Sequence, residues 1–225
     1  MIEIIPSLPA QSFQELTTKV GKVRGLVDTF QVDVADGLFV TSRSWPMNDA
    51  DKVQFSRLVK GEERLPYADE FDFEVHFMAH DPEKLLVEWL PVGIKRALFH
   101  IEARHDFSKL CSLASSSIEL GAVLKIGTPV ANLDEYIEHI TVVQLMGIDE
   151  IGEQGRDFDA RVIDMIEQVK ERYPSVMIEV DGAVNAGTAP RLVQAGARRL
   201  APGSFVLSAD DPKTAIQTLQ NIQHT

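Results

Sequence analysis

Short runs of apolar residues alternate with longer segments of mixed polarity along the whole chain. The apolar runs are rich in Val, Ile and Phe, and their hydrophobicity is nearly continuous rather than alternating. That pattern is typical of strands buried on both faces of a parallel sheet. It predicts eight strands, near residues 2–5, 30–35, 72–77, 96–101, 121–126, 141–146, 176–181 and 198–202.

The segments between the apolar runs carry hydrophobic residues at helical spacing. Phe13, Leu16, Val20 and Val23, for example, follow one another at intervals of three or four. A Pro directly after an Asp, as at residues 81–82 and 211–212, also indicates a helix start. The pattern predicts helices at 12–27, 82–90, 106–120, 131–139, 159–172, 187–196 and 211–222, and a short one near Val53–Lys60.

Eight strands that alternate with helices favour an α/β fold, a single (β/α)8 TIM barrel over residues 1–225. A doubly wound open sheet is the structural alternative. The barrel is favoured because the strand count is eight and because no dinucleotide-binding fingerprint follows the first strand.

The amino-acid composition excludes some classes of binding partner and some kinds of site. The chain has 22 Lys and Arg against 34 Asp and Glu, which gives a formal net charge of −12. This balance argues against a nucleic-acid-binding protein and against docking on an anionic membrane. The single cysteine, Cys111, excludes an internal disulfide and a site built from several cysteines.

The sequence carries no signal for membrane insertion or export. Its apolar runs are far shorter than the roughly 20 residues of a membrane span. The first residues lack the basic start and long apolar stretch of a signal peptide. We therefore expect a cytoplasmic protein, with a homo-oligomer as an open alternative to a monomer.

Two carboxylates lie where barrel enzymes place their catalytic groups, at the carboxyl ends of strands. Asp33 belongs to the second predicted strand and Asp181 to the seventh. Such a pair suits proton removal on one face of a carbon and proton delivery on the other. His76, at the end of the third strand, could join them in holding a divalent metal. A buried histidine with its hydrogen bonds satisfied is an equally good interpretation of His76, and a strand-end Asp also serves in turns.

Two glycine turns before helices indicate anion binding. Gly182 follows the seventh predicted strand, and Gly203 with Ser204 follows the eighth. Many barrels bind phosphate with these two loops, using backbone N–H groups. Glycine is also common in plain strand-to-helix turns, so only the pair at these strands is informative.

Six stretches of the sequence form a recognisable set: Ile5-Pro6-Ser7, Gln31-Val32-Asp33-Val34-Ala35-Asp36-Gly37, Glu74-Val75-His76-Phe77-Met78, Phe99-His100-Ile101-Glu102-Ala103, Glu179-Val180-Asp181-Gly182 and Gly203-Ser204. Taken together and in order, they resemble the ribulose-phosphate 3-epimerase family over essentially the whole chain.

The resemblance implies an isomerase, a carbohydrate-phosphate 3-epimerase that interconverts D-ribulose 5-phosphate and D-xylulose 5-phosphate through an enediolate. The phosphorylated ketose is then the partner, and the role lies in the pentose phosphate pathway. The family is metal-dependent, so the resemblance implies a divalent metal such as Zn, Fe(II), Mn or Co. It assigns acid–base and metal-binding roles to Asp33 and Asp181, a metal-binding role to His76, and substrate contacts to Ser7, Met78, Met146, Gly182, Gly203 and Ser204.

The chain departs from the family pattern at several positions. Gln31 stands where the family has a metal-ligating histidine, so the resemblance implies a weaker amide ligand there. Ala35 replaces a methionine, which predicts a more open cavity wall. Ala183 replaces the second glycine of the phosphate turn. The loop of residues 147–156 lacks the family's Gly-Gly and contains Arg156, which could offset its acidic residues.

Two alternative functions therefore stay open. One is a divergent homologue that acts on another ketose phosphate. The other is a phosphosugar-binding protein that has lost catalysis. A related decarboxylase is disfavoured because Ala35 stands where that group's Asp-x-Lys-x-x-Asp pattern has its lysine.

Overall fold

A computed structural model of the chain describes residues 2–114, 118–152 and 155–222. Its strands form one parallel sheet in the order β1-β9-β8-β7-β6-β5-β4-β3-β2. The strands are β1 (Glu3–Ile4), β2 (Ser7–Leu8), β3 (Thr29–Ala35), β4 (Asp72–Met78), β5 (Arg96–His100), β6 (Glu119–Leu124), β7 (Val142–Met146), β8 (Met177–Asp181) and β9 (Arg199–Ala201).

The N-terminal segment closes the sheet into a barrel. Its first part, β1, pairs with β9, and its second part, β2, pairs with β3. The first predicted strand, at residues 2–5, corresponds to β1. The structure adds β2 after Pro6, which has no N–H to donate to a ladder. Since one segment joins the two edges of the sheet, the predicted (β/α)8 barrel is confirmed.

The helices of the structure follow the strands in alternation. They are α1 (Phe13–Lys22), α2 (Lys52–Val59), α3 (Pro82–Trp89), α4 (Phe107–Leu113), α5 (Arg161–Arg172), α6 (Ala189–Ala195), α7 (Ser204–Leu207) and α8 (Pro212–Gln220), with 3₁₀ turns at Asp49–Asp51, Leu90–Val92 and Val130–Glu135. Ser12 and Asp211 cap α1 and α8 by accepting backbone N–H bonds in the first turn. None of the helices described is long and apolar enough to cross a membrane.

Three predicted helices differ from the structure in extent or type. The helix predicted at 12–27 ends at Lys22, and Gly25 takes a left-handed conformation with φ of 68°. The helix predicted at 106–120 ends at Leu113 and a strand begins at Glu119, while residues 115–117 lie outside the described residues. The helix predicted at 131–139 is a 3₁₀ turn, Val130–Glu135.

The barrel interior carries polar side chains in two layers, which is what positions the site. All seven residues of β3 are buried, and alternate residues of a strand face opposite sides. One set packs against the helices, where Phe30, Phe73 and Phe77 join a continuous apolar core. The other set faces inward. The layer nearer the strand N-termini contains Glu74, Arg96, Gln144 and Glu179, and the layer nearer the C-termini contains Asp33, His76, His100 and Asp181, all buried.

Candidate active site

Asp33, His76 and Asp181 meet at the carboxyl end of the barrel. Parallel pairing places Asp33 directly beside His76 on the neighbouring strand. His76 Nδ1 lies 3.3 Å from Asp33 Oδ1 and 3.5 Å from Asp181 Oδ2. One ligand atom from each of the three residues lies within 4.8 Å of the others. The structure therefore brings together the three residues that the sequence predicted as a group.

Gln31 lies beneath the two carboxylates and bridges them. Its Nε2 donates to Asp33 Oδ1 at 2.6 Å and to Asp181 Oδ2 at 2.7 Å. Its Oε1 accepts a hydrogen bond from Gln144 Nε2 at 2.7 Å. The amide nitrogen, not the oxygen, therefore faces the site. A metal-ligand role for Gln31 would require the amide to turn over.

A row of three side chains, the histidine row, fixes the orientation of His76. His76 Nε2 lies 3.0 Å from His100 Nε2, and His100 Nδ1 lies 3.2 Å from Glu102 Oε2. The other oxygen of Glu102 accepts hydrogen bonds from the Lys125 N–H and the Thr128 hydroxyl. Because the Glu102 carboxylate only accepts, His100 must donate from Nδ1 and accept at Nε2, and His76 must donate from Nε2.

The histidine row leaves the Nδ1 of a neutral His76 as a lone pair directed at the site. This buried atom makes no aligned hydrogen bond to any residue that the structure describes. A lone pair beside two carboxylates is a donor set that suits a divalent cation. The residues present thus fit the divalent metal that the resemblance implies, with Asp33, His76 and Asp181 as the group that could hold it.

Electrostatics at the site favour positive charge between the carboxylates. Burial lowers the pKa of His76, but the nearby carboxylates of Asp181 and Asp33 favour its protonated form, outweigh burial and raise that pKa to about 9. Burial, together with the charge of Asp181, raises the pKa of Asp33. His100 has the opposite behaviour, since burial lowers its pKa to about 4. One cation, either a proton or a metal, is therefore favoured beside His76, while His100 stays neutral.

A cavity of about 390 Å³ opens above this cluster. Its lining includes all the residues predicted to contact substrate, beside Asp33 and Asp181: Ser7, Met78, Met146, Gly182, Ala183, Gly203 and Ser204. Ser7 Oγ also lies 3.4 Å from Asp181 Oδ1. His76 and Gln31 are not part of this lining. They lie below it and contact Asp33 and Asp181, which are part of it.

The turn after β8 presents its backbone to the cavity. Gly182 and Ala183 both have positive φ, 99° and 53°. A side chain at Gly182 would also meet Ile148 at 2.8 Å, so glycine is required there. Asn185 Oδ1 accepts the Thr188 N–H at 3.2 Å, and Thr188 Oγ1 donates to the Ala183 carbonyl at 2.7 Å. These bonds hold the turn in an unusual conformation.

The second predicted phosphate turn lies on the same wall. Val206 and Leu207 donate their N–H groups to the Gly203 carbonyl. The N–H groups of Ser204 and Phe205 precede the first of these helical bonds, as at any helix start. The structure thus brings the two turns together at one cavity, which is lined by Gly182, Ala183, Gly203 and Ser204.

The loop after β7 lines the other side of the cavity and contacts the loop after β3. Ser42 Oγ donates to the Gly152 carbonyl at 2.6 Å. Ile151 packs against the buried group formed by Ala35, Val40 and Met78. The prediction that Ala35 leaves an open wall is therefore wrong, because Ala35 is fully buried against loop side chains.

Arg156 is the cation that the rebuilt loop brings to the cavity. It lines the same cavity as the two predicted phosphate turns and pairs with Glu150 at 2.8 Å. Residues 153 and 154 of the predicted loop lie outside the described residues. Within the described part of the loop, the acidic Glu150 is thus partly neutralised by Arg156.

Sequence reasoning assigned no function to His100, Glu102 or Gln144. The first two lie in a stretch that resembles the family, but nothing in their spacing predicts a row that ends at His76. Gln144 is a single polar residue within an apolar strand. Its inward position on a buried parallel strand was the available signal. A buried amide needs hydrogen-bond partners, so another buried polar side chain was to be expected beside Gln144.

Comparison with known proteins places this geometry in a family. Residues 3–207 match the ribulose-phosphate 3 epimerase family. The chain belongs to that family. The ribulose-phosphate 3-epimerase of Bacillus subtilis (strain 168) is 29% identical over 227 residues, covering 98% of this chain and 99% of the relative. That of Schizosaccharomyces pombe is 28% identical over 222 residues, covering 97% and 92%.

Solved structures support the fold independently of sequence. KGPDC from Streptococcus mutans superimposes with a TM-score of 0.70 at 9% identity, covering 98% of this chain and 97% of that one. At this identity the likeness shows the barrel fold alone.

Proposed function

We propose that the chain is a ribulose-phosphate 3-epimerase, an isomerase that inverts C3 of a phosphorylated ketose, with D-ribulose 5-phosphate as the substrate. The observation that carries this proposal is the convergence of Asp33, Asp181 and His76 at the floor of the cavity. Family membership and near-full-length relatives with this name support the same activity.

Asp33 and Asp181 carry the two proton transfers. One carboxylate removes the C3 proton from one face of the sugar, and the other returns a proton to the opposite face. Burial raises the pKa of Asp33, which suits it to hold the proton that is donated. Gln31 keeps the two carboxylates together by donating to both.

Asp33, His76 and Asp181 would hold a divalent metal, of the Zn, Fe(II), Mn or Co type, with His76 binding through Nδ1. Such an ion supplies positive charge that stabilises negative charge on the oxygens of the sugar. His100 and Glu102 keep the His76 lone pair directed at that position.

The remaining cavity residues bind and orient the sugar phosphate. The backbone of Gly182, Ala183, Gly203 and Ser204 would receive the phosphate, with Arg156 as an added cation. Met78 and Met146 form apolar walls above the carboxylates, and Ser7 contacts both Asp181 and the cavity. An apolar wall limits access of water to the deprotonated sugar.

The test is proton NMR of D-ribulose 5-phosphate in D₂O with the purified chain. Deuterium at C3 and formation of xylulose 5-phosphate are expected. Asp33→Asn and Asp181→Asn should each slow exchange by about 10²- to 10⁴-fold, while Asp164→Asn, on the exposed face of α5, leaves it unchanged.

Three results would redirect the proposal. Exchange that survives Asp181→Asn would refute the assigned acid–base pair. Exchange on another ketose phosphate, with none on the pentulose phosphate, would move the activity to that sugar. Phosphosugar binding without exchange, under chelation and with each added metal, would leave only a binding protein.

A further inference from the structure

A second row of side chains, the amide row, runs from the lower layer of the barrel to the catalytic carboxylates. It consists of Glu179, Gln144 and Gln31, all fully buried. Gln144 Nε2 donates to Glu179 Oε1 at 2.7 Å and to Gln31 Oε1 at 2.7 Å. Gln31 Nε2 then donates to Asp33 and Asp181.

Acceptors at both ends set the direction of the amide row. A side-chain amide has one donor group and one acceptor oxygen. Gln144 commits its NH₂ group to Glu179 and Gln31, so Gln31 must present its oxygen to Gln144 and its own NH₂ to the carboxylates. If the Gln31 amide were turned over, its oxygen would face the carboxylates of Asp33 and Asp181, and its NH₂ group would face the NH₂ group of Gln144. Each buried group left without a partner costs about 1–3 kcal/mol.

The same oxygens that Gln31 contacts are those available to a cation. Asp33 Oδ1 and Asp181 Oδ2 are also the carboxylate atoms that lie 3.3 and 3.5 Å from His76 Nδ1. A donor that occupies their lone pairs competes with a metal for them. The carbonyl oxygen of Gln31, which could otherwise contribute a ligand, is held away by Gln144.

We propose that Gln144 is a positioning residue that holds Gln31 as a hydrogen-bond donor to Asp33 and Asp181, and thereby lowers the affinity of this site for a divalent cation. The inference rests on the proposed function, since it assumes that Asp33, His76 and Asp181 bind the cation. As a consequence, the hydrogen bonds from Gln31 keep Asp33 and Asp181 aligned when no cation is bound.

Gln144→Glu inverts the hydrogen bonding with almost no change in shape. The introduced carboxyl shares a proton with Glu179 and offers Gln31 only an acceptor oxygen. The Gln31 NH₂ then turns toward position 144, and its oxygen turns toward the site. The affinity for Zn²⁺ and Mn²⁺ should rise by about 10- to 100-fold, the range of effects seen when partners of metal ligands are changed.

Cation affinity is measured directly, by competition of the purified chain with a chelator for Zn²⁺ and by the signal of free Mn²⁺ in electron paramagnetic resonance. The same change is made in a Gln31→Leu background, where it should leave the affinity unaltered because its effect passes through Gln31. Gln144→Met, which removes the donor without adding charge, should also tighten binding, by a smaller factor. Thermal unfolding checks that each variant is folded.

The outcomes separate this inference from the function on which it rests. An unchanged or weaker affinity in both Gln144 variants, or the same gain in the Gln31→Leu background, would overturn the role of Gln144. Absence of cation binding in every variant would overturn it together with the cation site. Tightening that depends on Gln31, in a chain that never exchanges the C3 proton, would support the role of Gln144 and refute the epimerase.

Discussion

Glu102→Gln removes the negative charge at the outer end of the histidine row while keeping the shape of the side chain. Burial alone would raise the pKa of Glu102, but hydrogen bonds from His100, Thr128 and the Lys125 N–H outweigh burial and lower it from 4.5 to about 2. Its side chain is only 21% exposed, so solvent screens these contacts weakly. At about 1.4 kcal/mol per pH unit, this difference corresponds to about 3 kcal/mol of stabilisation.

The amide of the variant cannot replace the carboxylate. One side of Glu102 accepts from His100, and the other accepts from the Lys125 N–H and the Thr128 hydroxyl. In Glu102→Gln, the NH₂ group must face either the N–H of His100 or the Lys125 N–H and the Thr128 hydroxyl. Either orientation sets a donor against a donor. We therefore expect Glu102→Gln to lower the free energy of unfolding by about 3 kcal/mol at pH 7.

The loss of unfolding free energy in Glu102→Gln should become smaller as the pH falls. A carboxyl whose pKa is lowered by folding contributes stability above its unfolded pKa, and that stability is lost as the pH falls toward the folded value. The difference between the native chain and Glu102→Gln is thus full above pH 4.5 and shrinks between pH 4.5 and 2. By about pH 3.5 roughly half of it should be gone.

Urea unfolding followed by tryptophan fluorescence measures this, because Trp45 and Trp89 are both fully buried. Glu88→Gln, on the exposed face of α3, is the matched control and should match the native chain at every pH. A Glu102→Gln variant within about 1 kcal/mol of the native chain at pH 7 would refute the reasoning. So would a larger difference that stays constant down to about pH 3.5.

Two further predictions concern the loops over the cavity. Gly147→Ala should lower the free energy of unfolding by about 1–3 kcal/mol in the same urea assay, because the added methyl group collides with the backbone carbonyl of Gly182. Gly187→Ala, whose new methyl would lie 3.3 Å from a side-chain oxygen, is the control, and equal stability of the two variants would contradict the argument. Arg156→Gln should raise KM for the sugar phosphate by about tenfold with kcat little changed, because a charge-assisted contact to phosphate is lost. Arg161→Gln removes a similar charge outside the cavity lining and should leave KM as it was, so a matching rise there would point to overall charge instead.

The fold and the core of the site were predictable because their signals are local. Asp33 and Asp181 stand out as carboxylates at inward positions of apolar strands, and the strand count places them at one end of a barrel. The orientation of the Gln31 amide was not predictable. It depends on Gln144, which is 113 residues away in sequence and reaches Gln31 only through closure of the sheet.

The role of Glu102 shows the same limit. Its effect on His76 passes through His100, and each link depends on distances of about 3 Å that hydrophobic patterning does not encode. The end of α1 was missed for a different reason. Leu26 and Val27 continue the apolar spacing, but they pack against the core after the chain has left the helix at Lys22.

The N-terminal segment that closes the barrel has a consequence for synthesis on the ribosome. Glu3 pairs with Arg199, and Ser7 contacts Asp181 across 174 residues of sequence. Contacts of such separation form late, because a long loop must first be ordered. β1 therefore has no partner strand until β9 has emerged. During translation, an incomplete chain exposes an unpaired strand edge at each end of its growing sheet, where pairing with another nascent chain is the competing reaction.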